Sequence, residues 1–406
     1  MGVIVQKFGG TSVADIERIR NVAHRVAKAY DAGNDVVVIL SAMAGVTDKL
    51  ISMASRISER PEKRELDVLL ATGEQTTAAL LAMTLISMKY PARSLMGFQA
   101  EVRTDCAFGN ARILDINAER IEALIGRRNI VVIAGFQGHD REGNITTLGR
   151  GGSDTSAVAI AAALKADVCE IYTDVDGVYT TDPNICGKAR KISKIAYDEM
   201  LEMASLGAKV LQIRSVEFAK KYNVPIHVRS SFSEEEGTMV WSEECDMERL
   251  MVSGITCSKN DARILVKGVP DQPGIAARVL GPIAEAGIVV DMIIQSAPKN
   301  GTNDIAFTVP RTEYDAAMET ARRVAEEVGA EGVHGDQSIA KISVVGIGMK
   351  SHSGVAAKMF STLAAENINI RMISTSEIHI SCVIMEKYAE LAVRALHTAF
   401  GLDREA

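Results

Sequence analysis

The stretch TLGRGGSDTSA, residues Thr147–Ala157, decides how the first half of the chain is interpreted. Its glycine pair permits close approach of the backbone to a ligand, and Ser153 and Asp154 follow as candidate caps of an apolar helix. The free amides of such a helix start bind anions, and Arg150 adds a planar cation suited to a carboxylate or a phosphate. The glycines alone also fit a plain loop. Together with Arg150 and the Ser-Asp pair they predict an anion site.

Apolar runs on both sides of this stretch indicate an alternating α/β domain. A second glycine pair, in KFGGTSV, follows the apolar run Val3–Val5 and precedes a helical pattern, so it predicts a second anion cradle with Lys7 beside it. Further apolar runs predict strands of the same sheet at Asp35–Leu40, Ile130–Phe136, Val168–Thr173 and Pro225–Val228. The predicted fold is therefore α/β, with a mostly parallel central sheet and helices on both faces.

The composition of the whole chain favours small-molecule chemistry. The 406 residues carry a net charge of −7, which gives no general attraction to nucleic acid or to an anionic membrane. The cysteines form no CxxC pair and the histidines no HExxH motif, so we expect a reduced, cytoplasmic protein without a metal held by its own side chains. No apolar run approaches the roughly 18 residues of a membrane span, and the N-terminus lacks a secretory signal pattern.

Three polar positions outside the glycine loops are candidates for ligand contact. Glu74 lies beside a glycine and before an apolar helical run. A carboxylate at such a helix start usually acts as a cap or as a partner of the helix dipole. The alternative is that it binds the amine of a ligand. The loop TDVDGVYTTDP begins at Thr173, and its Asp174 and Asp176 fit either a tight turn or contacts to a nucleotide base and ribose. The motif GAKVLQ opens the next predicted helix, with Lys209 positioned for a phosphate.

The last third of the chain contains an internal duplication. With an offset of 78 residues, ARILVKGV from Ala262 aligns with AKISVVGI from Ala340. With an offset of 80, GIAARVLGPIAEAGIVVDMIIQS from Gly274 aligns with GVAAKMFSTLAAENINIRMISTS from Gly354. Each copy reads as strand, helix, strand, then a further strand and helix, which predicts two ferredoxin-like domains. Such a pair binds a small amino acid at its helix starts and strand edges, or serves dimerisation alone.

Composition sets the predicted domain boundaries. Residues 231–246 are rich in Ser and Glu and indicate a linker or a surface loop. The boundaries that we predict are a first domain at 1–235, a linker at 236–261, and two repeated domains at 262–337 and 338–406.

Several motifs, taken in order, resemble those of the aspartokinases of the amino-acid kinase superfamily. They are KFGGTSV, SAMAGVTD, the glutamate Glu74, GRGGSDTSA, TDVDGVYTTDP and GAKVLQ. The repeat resembles the two ACT domains of feedback-regulated, monofunctional members. The resemblance implies that Mg-ATP phosphorylates the side-chain carboxylate of L-aspartate to 4-phospho-L-aspartate, for the synthesis of lysine, threonine and methionine. A carboxylate acceptor is already ionised at pH 7 and needs no general base.

The resemblance also implies which residues bind the nucleotide. Lys7 and Asp154 are the implied catalytic residues: Lys7 holds the transferring phosphate with the amides of Gly9 and Gly10, and Asp154 orients Lys7. The other implied nucleotide contacts are Ser41, Thr173, Asp174, Tyr179 and Lys209. Mg²⁺ is bound through the nucleotide phosphates.

On the amino-acid side, the resemblance implies that Glu74 meets the substrate ammonium and Arg150 its α-carboxylate. The other implied substrate contacts are Thr47, Gly151, Gly152 and Ser153. In the ACT pair, the positions that match effector contacts are Asp271, Gly274, Ala276, Gln295, Asn369 and Ile370. The implied effectors are lysine, threonine or both.

Two other functions and two kinds of assembly stay open at this stage. A kinase for glutamate or acetylglutamate is disfavoured because those relatives lack the paired ACT tail, and a non-catalytic amino-acid sensor is disfavoured by the intact Lys7, Glu74, Arg150 and Asp154. We expect either a homo-oligomer or an α2β2 assembly through the ACT domains. Met247 is a candidate internal start for a separate regulatory chain.

Overall fold

A computed structural model describes residues 2–208, 210–242, 251–349 and 354–404. These residues form two compact units, each of which draws on separate segments of the chain. The first unit contains the described residues of Met1–Val178, Lys191–Ser205 and Lys209–Asp246. The second contains those of Tyr179–Arg190, Leu206–Ala208 and Met247–Ala406.

The first unit is an α/β domain. Its strands are β1 (Val3–Phe8), β2 (Asp35–Leu40), β3 (Ala92–Leu95), β4 (Val102–Thr104), β5 (Ile113–Ile116), β6 (Ile130–Ala134), β7 (Gln137–His139), β8 (Ile145–Thr147), β9 (Val168–Thr173), β10 (Lys194–Ala196), β11 (Ile226–Ser230) and β12 (Thr238–Trp241). Among the described residues, eight of these strands form one sheet in the order β10-β12-β11-β9-β1-β2-β6-β3. Neighbours in it are parallel except β11 and β12. A small second sheet has the order β5-β4-β7-β8.

Helices cover both faces of the large sheet, which confirms the predicted fold class. They are α1 (Ile16–Asp31), α2 (Val46–Ile57), α3 (Lys63–Ser87), α4 (Glu119–Ile125), α5 (Gly152–Ala163), α6 (Tyr197–Ser205) and α7 (Ile213–Tyr222). Val36, Val38 and Leu40 of β2 pack into a core that α1 and α3 also enter. The alternate side chains Val37 and Ile39 are fully buried as well, as expected for a strand with a helix layer on each side.

Two helix starts differ from the sequence predictions. Ser153 and Asp154 were expected to cap α5, but both lie inside its first turn, and the cap position is Gly151 with φ +70°. Glu74 was expected at a helix start, but it lies in the middle of α3, whose cap is Glu62. The first turns of α3 are rich in charged residues, so the apolar pattern becomes visible only further along the helix.

Helix α3 is the longest helix among the described residues. Its 25 residues satisfy a length and hydropathy criterion for a membrane span. However, it packs against the large sheet and buries the carboxylates of Asp67 and Glu74. These are the properties of a core helix, which is long and apolar because it packs inside the protein.

The second unit consists of two packed α/β repeats. Its strands are β13 (Met251–Ser258), β14 (Asp261–Pro270), β15 (Ile293–Gln295), β16 (Thr302–Pro310), β17 (Gly332–Asp336), β18 (Ile339–Ile347), β19 (Met372–Thr375) and β20 (His379–Met385). Its helices are α8 (Ile275–Glu285), α9 (Tyr314–Val328), α10 (Val355–Ala365) and α11 (Ala389–Ala399). The two antiparallel sheets have the orders β15-β16-β14-β17 and β13-β18-β20-β19. The first order is ferredoxin-like, as the repeat predicts.

The fourth strand of the second repeat does not come from the second repeat. In the first sheet the strand next to β14 is β17, which follows α9 in the chain. The equivalent place beside β18 is taken by β13, which precedes the first repeat. Both β12 and β13 lie within the stretch 236–261 that was predicted as a linker.

The segment Tyr179–Arg190 is part of the second unit although it follows β9 in the chain. The backbone carbonyl of Thr180 accepts a hydrogen bond from the amide of Ile255 at 2.7 Å. Its hydroxyl lies 2.9 Å from Nε2 of the buried His397 in α11. Ile185 packs against the core of the second sheet. No sequence pattern indicated this packing, and it holds β13 and α11 to one short segment.

Candidate active site

A cavity of about 350 Å³ opens in the first unit, at the carboxyl ends of β1 and β2. This is the usual place for a ligand in a parallel α/β sheet, and the volume suits a small molecule. The predicted site residues that line it are Lys7, Gly10, Ser41, Thr47, Glu74, Arg150, Gly151, Gly152, Ser153 and Asp154. The two glycine loops, far apart in the sequence, therefore meet in one cavity.

Lys7 and Asp154 form a buried ion pair in this cavity. Lys7 is near the end of β1 and Asp154 is in the first turn of α5, which packs against β1. The Nζ atom lies 2.5 Å from Oδ1, and the residues are only 8% and 9% exposed. Because removal of one partner would leave an uncompensated buried charge, the two side chains hold each other in place.

Two helices begin at the cavity without a side-chain cap. Gly45 precedes α2 with φ +78°, and Gly151 precedes α5 with φ +70°. The first amide groups of such helices have no partner within the helix and carry partial positive charge, so they favour an anion. The loop after β1 closely approaches the loop between β2 and α2: a Cβ on Gly10 would lie 2.9 Å from the carbonyl oxygen of Ala42.

Glu74 contributes a buried carboxylate to the cavity. One of its oxygens accepts a hydrogen bond from the backbone amide of Ala42 at 3.1 Å. The other is buried and has no hydrogen-bond partner among the described residues. Burial raises the pKa of Glu74 to about 7. A cationic ligand group would satisfy the free oxygen and favour the ionised form.

Arg150 supplies the opposite charge on the same cavity. It lies on the short connection between β8 and α5, between Gly149 and Gly151, which both have positive φ. Within the described ranges its guanidinium group has neither a hydrogen bond nor an ion pair, and it is exposed. A cavity that offers a free carboxylate oxygen and a free guanidinium matches the two charges of an α-amino acid.

Other predicted nucleotide residues lie outside the lining of this cavity. Gly9 is adjacent to it and donates its amide hydrogen bond to the carbonyl of Tyr172. Thr173 and Asp174 lie at the end of β9, the strand beside β1. Tyr179 belongs to the second unit. Lys209 lies outside the described residues.

The predicted effector residues belong to the second unit. Gly274 has φ +85° and caps α8, and the partly buried Ala276 lies in the first turn of that helix. Gln295 ends β15. The exposed predicted positions are Asp271, Gly274, Gln295 and Asn369, whereas Ile370 is partly buried. Their binding role stays a prediction.

The sequence predictions missed several residues of the cavity. These are Ala42, Met43, Ala44, Gly45, Asp48, Phe136 and Gly149. Phe136 has φ +67°, an unusual backbone conformation for an aromatic residue that is often found at functional sites. The glycine directly after the apolar run of β6 was the available indication that the chain turns sharply there.

Comparison with known proteins places the chain in a family. The amino acid kinase family profile matches residues 2–230, and ACT domain profiles match residues 262–326 and 342–400. An aspartate kinase from Stutzerimonas stutzeri (strain A1501) is 58% identical over 407 residues, which cover 100% of this chain and 99% of the relative. An aspartokinase from Helicobacter pylori (strain 26695) is 52% identical, with 99% and 100% of the two chains covered.

Solved structures agree with this result. Aspartokinase III of E. coli, in complex with aspartate and ADP in its R-state, matches with a TM-score of 0.81 and 26% identity, over 98% of this chain and 99% of that one. The same enzyme with lysine and aspartate in its T-state matches with a TM-score of 0.78 and 27% identity, over the same shares of the chains. The chain therefore belongs to the amino acid kinase family and, within it, to the aspartokinases with a paired ACT region.

Proposed function

We propose that this protein transfers the γ-phosphoryl group of ATP to the side-chain carboxylate of L-aspartate. The product, 4-phospho-L-aspartate, begins the synthesis of lysine, threonine and methionine. The observation that carries the proposal is the pairing, in one cavity, of the free carboxylate oxygen of Glu74 with the free guanidinium of Arg150. Glu74 would bind the substrate ammonium and Arg150 its α-carboxylate. Thr47, Gly151, Gly152 and Ser153 would complete the amino-acid site.

On the phosphate side, the reaction needs positioning and charge neutralisation more than proton transfer. Lys7 would contact the transferring phosphoryl group together with the amides of Gly9 and Gly10, and Asp154 would hold the Lys7 ammonium in place at 2.5 Å. The remaining nucleotide contacts would come from Ser41, Thr173, Asp174, Tyr179 and Lys209. Because aspartate is ionised at neutral pH, no side chain has to remove a proton from it.

Mg²⁺ would enter the site with the nucleotide phosphates. Among the described residues, no three His, Cys, Asp or Glu side chains are grouped as a metal site would require. The cavity instead offers cationic and amide groups for oxygen atoms of the phosphates, which fits a metal carried by the nucleotide. When bound, the ion would neutralise negative charge on those phosphates.

The second unit would regulate the reaction by binding an amino acid. The E. coli enzyme in its T-state is a complex with lysine and aspartate. We infer that lysine, threonine or both bind the ACT pair here, at the predicted positions Asp271, Gly274, Ala276, Gln295, Asn369 and Ile370. We also propose a cytoplasmic protein that assembles through its ACT domains, as a homo-oligomer or with a separate regulatory chain.

A hydroxamate assay tests the proposed reaction. Hydroxylamine traps an acyl phosphate, so the protein with aspartate, ATP and Mg²⁺ should form aspartyl hydroxamate, whereas glutamate and acetylglutamate should give none. The assay is repeated with lysine, threonine and both, and inhibition identifies the effector. If glutamate or acetylglutamate gives hydroxamate and aspartate gives none, the substrate is that amino acid and not aspartate. No hydroxamate with any divalent metal would favour the amino-acid sensor.

Arg150→Ala tests the amino-acid site within that reaction. The variant loses a charge-assisted contact worth about 1.5 to 3 kcal/mol, so KM for aspartate should rise far more than KM for ATP. Steady-state kinetics with each substrate varied in turn measures both constants. Equal changes in the two constants would refute the assignment of Arg150.

A further inference from the structure

Helix α3 carries a second buried carboxylate on the same face as Glu74. Asp67 precedes Glu74 by seven residues, which is close to two helical turns, so the two side chains point in the same direction. Asp67 is fully buried, and in the part of the chain that the structure describes no lysine or arginine pairs with it. A buried charge of this kind is costly unless hydrogen bonds compensate it.

Three donors compensate the charge of Asp67: two belong to Thr147 at the end of β8, and one belongs to Gly109 in the loop before β5. The backbone amide and the hydroxyl of Thr147 donate to its two oxygens at 2.7 Å and 2.8 Å. The amide of Gly109 donates to it at 3.0 Å. Burial raises the pKa of Asp67, and these hydrogen bonds oppose that rise. Both oxygens of Asp67 therefore accept hydrogen bonds from the protein, whereas one oxygen of Glu74 has no partner among the described residues.

The bonds to Asp67 fix the connection that carries Arg150. Thr147 is the last residue of β8, and Arg150 follows three residues later. From the other side, Arg214 of α7 donates to the carbonyl of Leu148 at 2.6 Å and to that of Ala111 at 3.0 Å. Asp67 and Arg214 together hold both ends of the Gly109–Ala111 loop and the start of the Arg150 connection.

We propose that Asp67 is a positioning residue for amino-acid recognition. By binding Thr147 and Gly109 from the same helix face that presents Glu74, it sets the distance between the group that would bind the substrate ammonium and the group that would bind its α-carboxylate. It contributes no contact to the substrate. This inference rests on the proposed function, because it assumes that Arg150 binds aspartate.

Asp67→Ala and Asp67→Asn separate positioning from a general role in folding. Alanine removes both acceptor oxygens and with them all three hydrogen bonds, so KM for aspartate should rise about tenfold or more while KM for ATP stays within about twofold. Asparagine keeps one oxygen for the two amides, and the Thr147 hydroxyl can accept from its NH₂ group, so KM for aspartate should return to within about threefold of the wild-type value. A purely structural role would lower the amount of active enzyme and leave both KM values unchanged.

A double-mutant cycle with Arg150→Ala tests whether Asp67 acts through Arg150. If it does, Asp67→Ala adds little to the KM of the Arg150→Ala enzyme, because the positioned group is already absent. Additive effects of the two substitutions on KM for aspartate would overturn the inference. So would an Asp67→Ala enzyme in which neither KM changes, or in which both KM values change equally. If Asp67→Ala does not fold, Thr147→Val decides, since it removes only the hydroxyl: a raised KM for aspartate alone supports the inference, and no change refutes it.

The proposed function and this inference fail in different ways. If the wild-type protein forms no aspartyl hydroxamate, the proposed function fails. If it does, and Arg150→Ala raises KM for aspartate while Asp67→Ala does not, only the role of Asp67 is refuted.

Discussion

The ionisation of Glu74 depends on what else occupies the cavity. Its carboxylate is almost completely buried, it has one hydrogen bond to the Ala42 amide, and its pKa is raised to about 7. An ammonium group beside the free oxygen would stabilise the charged form. Substrate binding and loss of a proton from Glu74 are therefore linked near neutral pH.

This linkage predicts how the affinity for aspartate changes with pH. Below about pH 7 a proton competes with the substrate ammonium for Glu74, so KM for aspartate should rise by up to about tenfold per pH unit, whereas it should level off above pH 7. Steady-state kinetics between about pH 6 and pH 8 measures this pH dependence of KM for aspartate. Glu74→Gln is the control: its KM should be high throughout and lose this dependence. The same slope in that variant would exclude Glu74 as its origin.

The Lys7–Asp154 pair predicts a different kinetic effect. In Asp154→Asn the Lys7 ammonium loses its buried partner, so kcat should fall about a hundredfold, with smaller changes in the two KM values. Asp198→Asn is a matched control, since Asp198 also lies 2.5 Å from a lysine, Lys220, but both side chains are half exposed. Exposed pairs contribute little, and that variant should keep its activity. Equal loss of kcat in both variants would contradict a special role for Asp154.

At the level of elements, local pattern predicted the strands that are buried on both faces. β2 and β9 have the predicted limits, Asp35–Leu40 and Val168–Thr173, because each is a short, mainly apolar segment between turn residues. β12 and β13 were missed, since short apolar segments in polar surroundings become strands only through pairing with distant residues. The duplication revealed two ferredoxin-like repeats but not which strand completes the second one.

Candidate site residues could be predicted to the extent that glycine loops and charges mark them. Lys7 and Arg150 stand beside glycine pairs, and the structure brings both loops to one cavity. Asp67 could not be found in this way, because its importance depends on hydrogen bonds to Gly109 and Thr147, which lie 42 and 80 residues further along the chain.

The position of β13 predicts where the second repeat is vulnerable. Ile255 of β13 is 1% exposed in the core of the second sheet, so Ile255→Ala should lower the free energy of unfolding by about 2 to 5 kcal/mol. Ile373→Ala on β19 is the control, because that side chain is 42% exposed and its loss should cost less than about 1 kcal/mol. Denaturant unfolding measures both. Similar losses in the two variants would mean that β13 does not complete this core.

At the scale of the whole molecule, a regulatory chain made from an internal start would retain both ACT sheets, although it would lack the Tyr179–Arg190 segment of the second unit. Met247 lies outside the described residues, but β13 begins at Met251, so a chain that starts at 247 contains every strand of both ACT sheets. A chain that starts at 262, where the ACT profile begins, would lack β13. The strand order therefore fits a start near residue 247 better than one at the first repeat.

Expression of the untagged gene tests the internal start. We expect a second band near 17 kDa, from about 160 residues at a typical mass per residue. Met247→Leu should remove that band and leave the full-length protein unchanged. A single full-length band from the wild-type gene would argue against a separate regulatory chain.

The strand β13 also limits how this regulatory region can be inherited or exchanged. Because it precedes the first repeat and completes the second, a second repeat copied or transplanted from residue 338 onward would have a sheet one strand short, whereas the first repeat contains all four strands of its own sheet. A recombination junction between the two repeats would break the pair, whereas a junction before residue 251 would transfer it intact. The second repeat can therefore be exchanged as a complete sheet only together with β13.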